Sequence, residues 1–164
     1  MGITSGASCV STDGDGPEAV YKVSMGSSEV LHAEATSRGA ESPLVYIVGD
    51  CTQPDMTCLG GGSASNGRAE AYFRSQSPQT VYVVADSTLS SVDEPFELRI
   101  EQTPVQCTQG QRTCSGGNLK YCNSYGLYET YSCTGGCSNG FCGQPTADVC
   151  LDPKPLTNGS SVTS

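Results

Sequence analysis

Apolar and polar residues alternate with a period of two in several short segments of the chain, which is the pattern of half-buried β-strands. In one segment Leu31, Ala33 and Ala35 share a face, whereas His32 and Glu34 belong to the opposite, polar face. Clusters of Gly, Pro, Ser and Asn separate these segments. The pattern predicts six strands, at 18–24, 29–36, 44–48, 68–74, 80–86 and 96–101.

The segment 80–86 is almost continuously apolar, so it is expected to be a central strand buried on both faces. No segment carries the 3.6-residue apolar period of an amphipathic helix. The run Gly60-Gly61-Gly62 is predicted to be a flexible loop. Short strands with turn signals between them indicate an all-β protein, an antiparallel jelly-roll-like β-sandwich.

The charge and cysteine content divide the 164 residues into two parts. Residues 1–106 hold 14 Asp and Glu against five Lys and Arg, and three cysteines, whereas residues 107–164 hold three of each charge and seven cysteines. We therefore predict an acidic β-sandwich at 1–104, a cysteine-rich module at 105–145, and a linker with a tail at 146–164. The module is too short and too polar to fold on a hydrophobic core alone, so disulfides are expected to stabilise it.

Ten cysteines in a Gly- and Ser-rich chain are typical of secreted or cell-surface proteins, which fold in oxidising compartments. The net charge of −9 argues against a nucleic-acid partner, which would need clustered Lys and Arg. No apolar run reaches 18 residues, so no membrane-spanning segment is predicted. The first residues lack a signal-peptide pattern, which favours a piece of a longer secreted chain.

A local disulfide between Cys51 and Cys58 is predicted to close the loop after strand 44–48. The module contributes six cysteines, which would form three bridges of undetermined pairing: Cys107, Cys114, Cys122, Cys133, Cys137 and Cys142. The alternative for this module is a zinc site that uses the last three of these residues. Cys9 and Cys150 remain, and they are predicted to pair with each other, within one chain or between subunits.

The order of segments resembles the pre-peptidase C-terminal domain family, in the form common in secreted proteins of myxobacteria and their relatives. The resemblance lies in Gly16-Pro17-Glu18-Ala19-Val20-Tyr21, in Val81-Tyr82-Val83-Val84 before Asp86, and in Phe96-Glu97-Leu98-Arg99-Ile100. It covers residues 9–102 and implies an antiparallel sandwich on a secreted protein, with calcium or extracellular polymers as ligands of some members. The module resembles small cysteine-rich repeats that follow such sandwiches.

The tail after Cys150 resembles the opening strand of such a sandwich, with Leu156 and Val162 as its apolar positions. The chain is therefore expected to be one period of a tandem array, whose sandwich lacks its own first strand and whose tail supplies that strand to a neighbour. Head-to-tail contacts of this kind do not close, so they produce a filament. The alternatives are a tail that folds back on its own chain and a tail that stays free.

Few residues point to chemistry. His32 is the only histidine and is expected to be an ordinary surface residue, so no catalytic set is predicted and the protein is expected not to be an enzyme. Calcium is the one candidate ion, held by Asp13, Asp15 and Glu18 on a glycine-rich turn. The carboxylates that could join them at the same end of the sandwich are Asp86, Asp93 and Glu94.

The module carries Tyr121, Tyr125, Tyr128 and Tyr131, either as packing over its disulfides or as an exposed patch for a glycan or protein. Two functions follow from these observations. The first is an extracellular structural or adhesive repeat that binds copies of itself or adjacent repeats through strand donation and disulfides. The alternative is an ancillary module of a secreted enzyme that binds an extracellular polysaccharide or protein matrix.

Overall fold

A computed structural model of the chain describes residue 9 and residues 19–37, 42–53, 57–64, 66–87 and 96–143. These residues form an all-β protein without a helix. The strands, in chain order, are β1 (Ala19–Met25), β2 (Glu29–Ser37), β3 (Pro43–Val48), β4 (Cys58–Ser63), β5 (Arg68–Ser75), β6 (Gln79–Ser87), β7 (Phe96–Pro104), β8 (Arg112–Ser115), β9 (Asn118–Cys122), β10 (Tyr128–Tyr131), β11 (Cys137–Ser138) and β12 (Phe141–Cys142). No helix in the described part of the chain is long and apolar enough to cross a bilayer.

The chain divides into two compact units. The first comprises Met1–Gln106 with Tyr125–Leu127, and the second comprises Cys107–Ser124 with Tyr128–Ser164. Tyr125–Leu127, in the loop between β9 and β10, therefore belong to the first unit, although the strands on either side of that loop belong to the second.

The first unit is a β-sandwich of two antiparallel sheets, with strand orders β1-β6-β3-β4 and β5-β2-β7. All six predicted strands are present, with ends that differ by up to three residues from the prediction. The shared core alternates with polar positions, as the period of two requires. Alanines on β2 and β5 face larger aliphatic side chains on β3 and β6, namely Val45, Ile47, Val81 and Val83.

Strand β6 is buried on both faces, which confirms the prediction for segment 80–86. Its neighbour β3 is buried along its whole length. Outward side chains of these two strands form a second buried cluster, which consists of Leu44, Tyr46, Val48 and Val84. Cys9 packs against this cluster. The β1-β6-β3-β4 sheet therefore has apolar contacts on both sides.

Strand β4 corrects the prediction of a flexible loop at Gly60-Gly61-Gly62. A Cβ atom at Gly60 or Gly62 would lie only 2.4 or 2.0 Å from a backbone oxygen of β5. At Gly61 it would lie 2.2 Å from the carbonyl oxygen of Cys9. The glycines thus allow the backbones of β4, β5 and Cys9 to approach closely. The composition of β4 alone is that of a flexible linker.

The second unit contains the β10-β9-β8 sheet and the β11-β12 hairpin. Gly116 and Gly117 connect β8 to β9 with φ of 58° and 82°, and Asn139 and Gly140 connect β11 to β12 with φ of 54° and 77°. Positive φ at both central residues is the requirement of a two-residue type I′ turn, which glycine and asparagine meet at least cost. These two turns set the register of the small unit.

Candidate functional site

The cysteines pair differently from the prediction in the first unit. Cys9 bonds to Cys58, with their Cα atoms 5.5 Å apart, and Cys51 is a free, half-buried thiol. Both the Cys51–Cys58 loop and the Cys9–Cys150 bridge are therefore corrected. Cys150 lies outside the described residues.

Hydrogen bonds close the loop after β3 without a disulfide. The Gly49 amide donates to the Thr57 carbonyl at 2.8 Å, and the Asp50 amide donates to the Thr57 hydroxyl at 3.0 Å. Cys58 then begins β4, within bonding distance of Cys9. Contact between segments distant in sequence, rather than the short spacing from Cys51, decides the pairing.

The six cysteines of the second unit form three bridges among themselves, Cys107–Cys122, Cys114–Cys137 and Cys133–Cys142. The alternative zinc site is thereby corrected, because the thiolates that it needs are oxidised. The bridges span 15, 23 and 9 positions and attach at β8, β9, β11 and β12 of the unit. Among the described residues of this unit the buried hydrophobic side chains are the cysteines Cys107 and Cys122, so restriction of the unfolded chain by the bridges is expected to stabilise it.

The predicted calcium ligands Asp13, Asp15 and Glu18 lie outside the described residues, as do Asp93 and Glu94. Asp86 is described and is only 1% exposed. Its Oδ1 accepts a hydrogen bond from the Ser87 amide at 2.6 Å. The predicted assembly residues Leu156 and Val162 also lie outside the described residues.

A polar cluster occupies the outer face of the β5-β2-β7 sheet, and we call His32, Glu34, Arg68, Glu70 and Tyr72 the His32 cluster. Glu34 and Glu70 lie directly opposite each other on β2 and β5. One guanidinium nitrogen of Arg68, Nη2, donates to both carboxylates at 2.7 Å. His32 Nε2 lies 3.1 Å from Glu70 Oε1. The face is therefore an ordered charge network.

Aromatic stacking fixes the imidazole of this cluster. The rings of His32 and Tyr72 are 4.2 Å apart and nearly parallel, at 6°. Tyr72 also stacks with Tyr125 at 5.0 Å, and Tyr125 belongs to the first unit together with the residues up to Leu127. His32 lies on the polar face that the alternation predicts, but its side chain is only 19% exposed.

Contacts within the His32 cluster shift the pKa values of Glu34 and Tyr72. The hydrogen bond from Arg68 holds the pKa of the Glu34 carboxyl below its ordinary value, against the opposing effect of desolvation. Burial raises the pKa of the Tyr72 hydroxyl, and the neighbouring Glu70 carboxylate raises it further. At neutral pH the Glu34 carboxylate is thus available as an anionic ligand.

Strand β1 forms a free edge of the first unit, since no strand among the described residues pairs with its second side. Val23 and Met25 on β1 reach the core, and Tyr21 belongs to the same inward face by alternation. Tyr21 is nevertheless 46% exposed, as is Val20 on the outward face. Apolar side chains on both faces of an edge strand are therefore open to solvent.

A third surface lies in the second unit, on one face of the β10-β9-β8 sheet. The guanidinium of Arg112 lies 5.6 Å from the ring of Tyr121 and 5.2 Å from the ring of Phe141. Tyr131 shares this face by register, and its hydroxyl donates to Glu129. Phe141 and Tyr131 are 46% and 47% exposed. We call Arg112, Tyr121, Tyr131 and Phe141 the aromatic patch.

The sequence contains part of the signal for these surfaces. His32 and Glu34 share a strand face, and so do Glu70 and Tyr72, which the period of two indicates. That these faces are neighbours depends on the β2–β5 register, which no local pattern reveals. Comparisons with protein-family models, curated proteins and solved structures found no match to this chain.

Proposed function

We propose that the protein is an extracellular structural or adhesive unit that assembles head-to-tail with copies of itself or with adjacent repeats. The observation that carries this proposal is the free edge of β1. An exposed strand edge offers unpaired N–H and C=O groups to an extended segment, which adds to the sheet as a further strand.

The side chains of β1 favour such addition. Charged residues and prolines usually protect an edge strand, but β1 has only Lys22 and exposes Val20 and Tyr21. One backbone group is already satisfied, because Gln102 Nε2 on β7 donates to the Ser24 carbonyl at 2.9 Å. The remaining length toward Ala19 would accept the incoming segment, and the half-exposed Tyr21 ring would pack against it.

The donor in this proposal is the segment 151–164 of a neighbouring unit. Its apolar positions, Leu156 and Val162, are an even number of residues apart and would share one face of an extended strand. It carries one acidic residue, Asp152, and one basic residue, Lys154, so charge does not oppose its approach to the acidic sandwich. A second copy of this chain is therefore the partner that we propose.

A covalent link can accompany this contact, although it cannot use Cys9. The four disulfides suit an oxidising compartment and leave Cys51 as the free thiol of the described residues. Leu156 follows Cys150 by six positions, an extended reach of about 20 Å. Three strand spacings, about 14 Å, would separate a strand added outside β1 from β3, which precedes Cys51. We propose Cys150 of one unit and Cys51 of the next as the linked pair.

The test is the molar mass of the full chain by light scattering over a range of concentrations, for three proteins. The unaltered chain is expected to exceed its monomer mass of 17.0 kDa as concentration rises. Tyr21→Lys is expected to stay monomeric, because a charge on the edge opposes strand addition. Leu59→Lys is the matched control, because Leu59 is an exposed residue of β4, at the opposite edge of the same sheet. Assembly of Tyr21→Lys, or a monomeric unaltered chain, would refute the proposal.

A second candidate function, polymer binding, is favoured by the aromatic patch of the second unit. Exposed Tyr131 and Phe141 beside Arg112 offer ring faces to the C–H surface of a sugar, and Arg112 and Glu129 offer hydrogen bonds to its hydroxyls. Co-sedimentation with insoluble cellulose and chitin tests this function. Tyr131→Ala with Phe141→Ala should abolish the retention, whereas Leu59→Ala should keep it; equal retention of both variants would argue against the patch.

A further inference from the structure

The His32 cluster offers three ligand atoms in a compact arrangement. His32 Nε2 and one carboxylate oxygen each from Glu34 and Glu70 all lie within 4.8 Å of one another. We propose that these three side chains bind a divalent transition-metal ion such as Zn²⁺, which replaces Arg68 between the carboxylates. The proposal goes beyond assembly, because the site lies within a single chain.

The donor set favours such an ion. Zinc accepts imidazole nitrogen and carboxylate oxygen at about 2.0–2.2 Å, and three protein ligands with one open position are a common arrangement. Bonds of that length place neighbouring ligands of a tetrahedron about 3.4 Å apart. The observed 3.1 Å between His32 Nε2 and Glu70 Oε1 is close to this spacing. Calcium instead prefers a larger shell made of oxygen atoms.

The ligands are positioned by regular structure rather than by a loop. Glu34 faces Glu70 across the β2–β5 ladder, and His32 is two positions from Glu34 on the same face. The parallel stack with Tyr72 orients the imidazole, so little freedom is lost when Nε2 binds an ion. The third ligand atom, from Glu34, also lies within 4.8 Å of the other two, on a side chain that can rotate.

Arg68 shows that the cluster already requires a cation. Two carboxylates directly opposite each other on neighbouring strands repel, and the Arg68 guanidinium offsets that repulsion from 2.7 Å on each side. The Arg68 side chain is 51% exposed, so it can turn into solvent without exposing core. A divalent ion would supply twice its charge and add a bond to His32, which Arg68 cannot provide.

Isothermal titration of the full chain with ZnCl₂ tests the proposal. The free thiols are alkylated beforehand, because Cys51 is itself a zinc ligand type, and excess calcium is present to occupy carboxylate-only sites. Since His32 is the only histidine, the imidazole ¹⁵N resonances report this site alone. We expect one zinc ion per chain and a large shift of the Nε2 resonance.

Four variants locate the ion. His32→Phe keeps a ring to stack on Tyr72 but removes the ligand atom, and Glu70→Gln keeps the shape but removes the charge. Each is expected to lower the affinity by about tenfold or more, as loss of metal-site groups does. Arg68→Ala is expected to raise the affinity, because the competing cation is gone. Glu129→Gln is the matched control, because Glu129 is a hydrogen-bonded surface carboxylate of the second unit, and it should leave the zinc affinity unchanged.

Three results would overturn the proposal: no zinc binding by the alkylated chain, an unchanged affinity in His32→Phe, or an unchanged affinity in Arg68→Ala. Cooperative thermal unfolding of each variant without zinc shows that it is folded. The Nε2 chemical shift of the unaltered chain tests the site without any substitution, because a zinc ion bound elsewhere would leave that shift unchanged.

Discussion

The close approach of β4 to β5 leaves no room for a side chain at Gly62. A Cβ atom there would lie 2.0 Å from the Glu70 carbonyl oxygen, whereas real Cβ contacts essentially never fall below 3.0 Å. The two strands must therefore separate by about 1 Å in Gly62→Ala, and both sides of the clash are backbone. No flexible side chain can relieve it.

The expected cost is that of an overpacked core, about 1–3 kcal/mol of unfolding free energy. For a unit of this size each kcal/mol lowers the melting temperature by roughly 4–8 °C. Because Glu70 belongs to the His32 cluster, the same variant should also weaken zinc binding. Thermal unfolding followed by circular dichroism, together with the zinc titration, measures both effects.

Gly49→Ala is the matched control, since a Cβ at Gly49 would meet Thr57 at an ordinary 3.6 Å. Its melting temperature should stay within a few degrees of the unaltered chain. If Gly62→Ala and Gly49→Ala have the same melting temperature, β4 does not lie against β5, and the placement of the three glycines in a packed strand is refuted.

Three further predictions concern the same unit. Cys58→Ser should lower stability by about 4 kcal/mol, from the loop of 49 positions that its bridge closes, whereas Cys51→Ser should be nearly neutral; equal losses in denaturant unfolding would restore the Cys51–Cys58 pairing. Glu34→Gln should be less stable than the unaltered chain at neutral pH, because Arg68 lowers the pKa of Glu34 from its ordinary value of 4.5; that advantage is full above pH 4.5 and should shrink as the pH falls below it, and a stability gap that stays constant in urea unfolding as the pH falls below 4.5 would contradict it. Ser28→Gly should raise the melting temperature slightly, because Ser28 has a φ of 59° in the turn before β2, and a lower melting temperature would argue against strain there.

Alternation predicts the strands of the sandwich because each strand has one face in the core. The six predicted strands are present, and β6 is the buried central strand that its apolar run indicates. Strand β4 could not be predicted in this way, because three consecutive glycines have no side chains to alternate. Only the nearby backbones of β5 and Cys9 explain why glycine is needed.

The sequence predicted the three disulfides of the second unit in number but not in pairing, and it predicted wrong partners in the first unit. Spacing favours Cys51 with Cys58, but hydrogen bonds to Thr57 close that loop and Cys58 bonds to Cys9 instead. In the second unit no strand is longer than five residues, so the alternation of apolar and polar residues is too short to predict strands. The pair Asn139-Gly140 is nevertheless a strong signal for a hairpin turn. The His32 cluster depends on register between strands that lie far apart in sequence.

Hydrogen–deuterium exchange of β1 at low and high protein concentration tests assembly through the strand edge most directly. At low concentration the amides on the outer side of Ala19–Met25 should exchange rapidly, because no described strand pairs with them. At concentrations where the mass exceeds 17.0 kDa, every second amide of β1 should become protected as a new strand adds. An assembly that forms while β1 continues to exchange at its monomer rate would contradict strand addition at this edge.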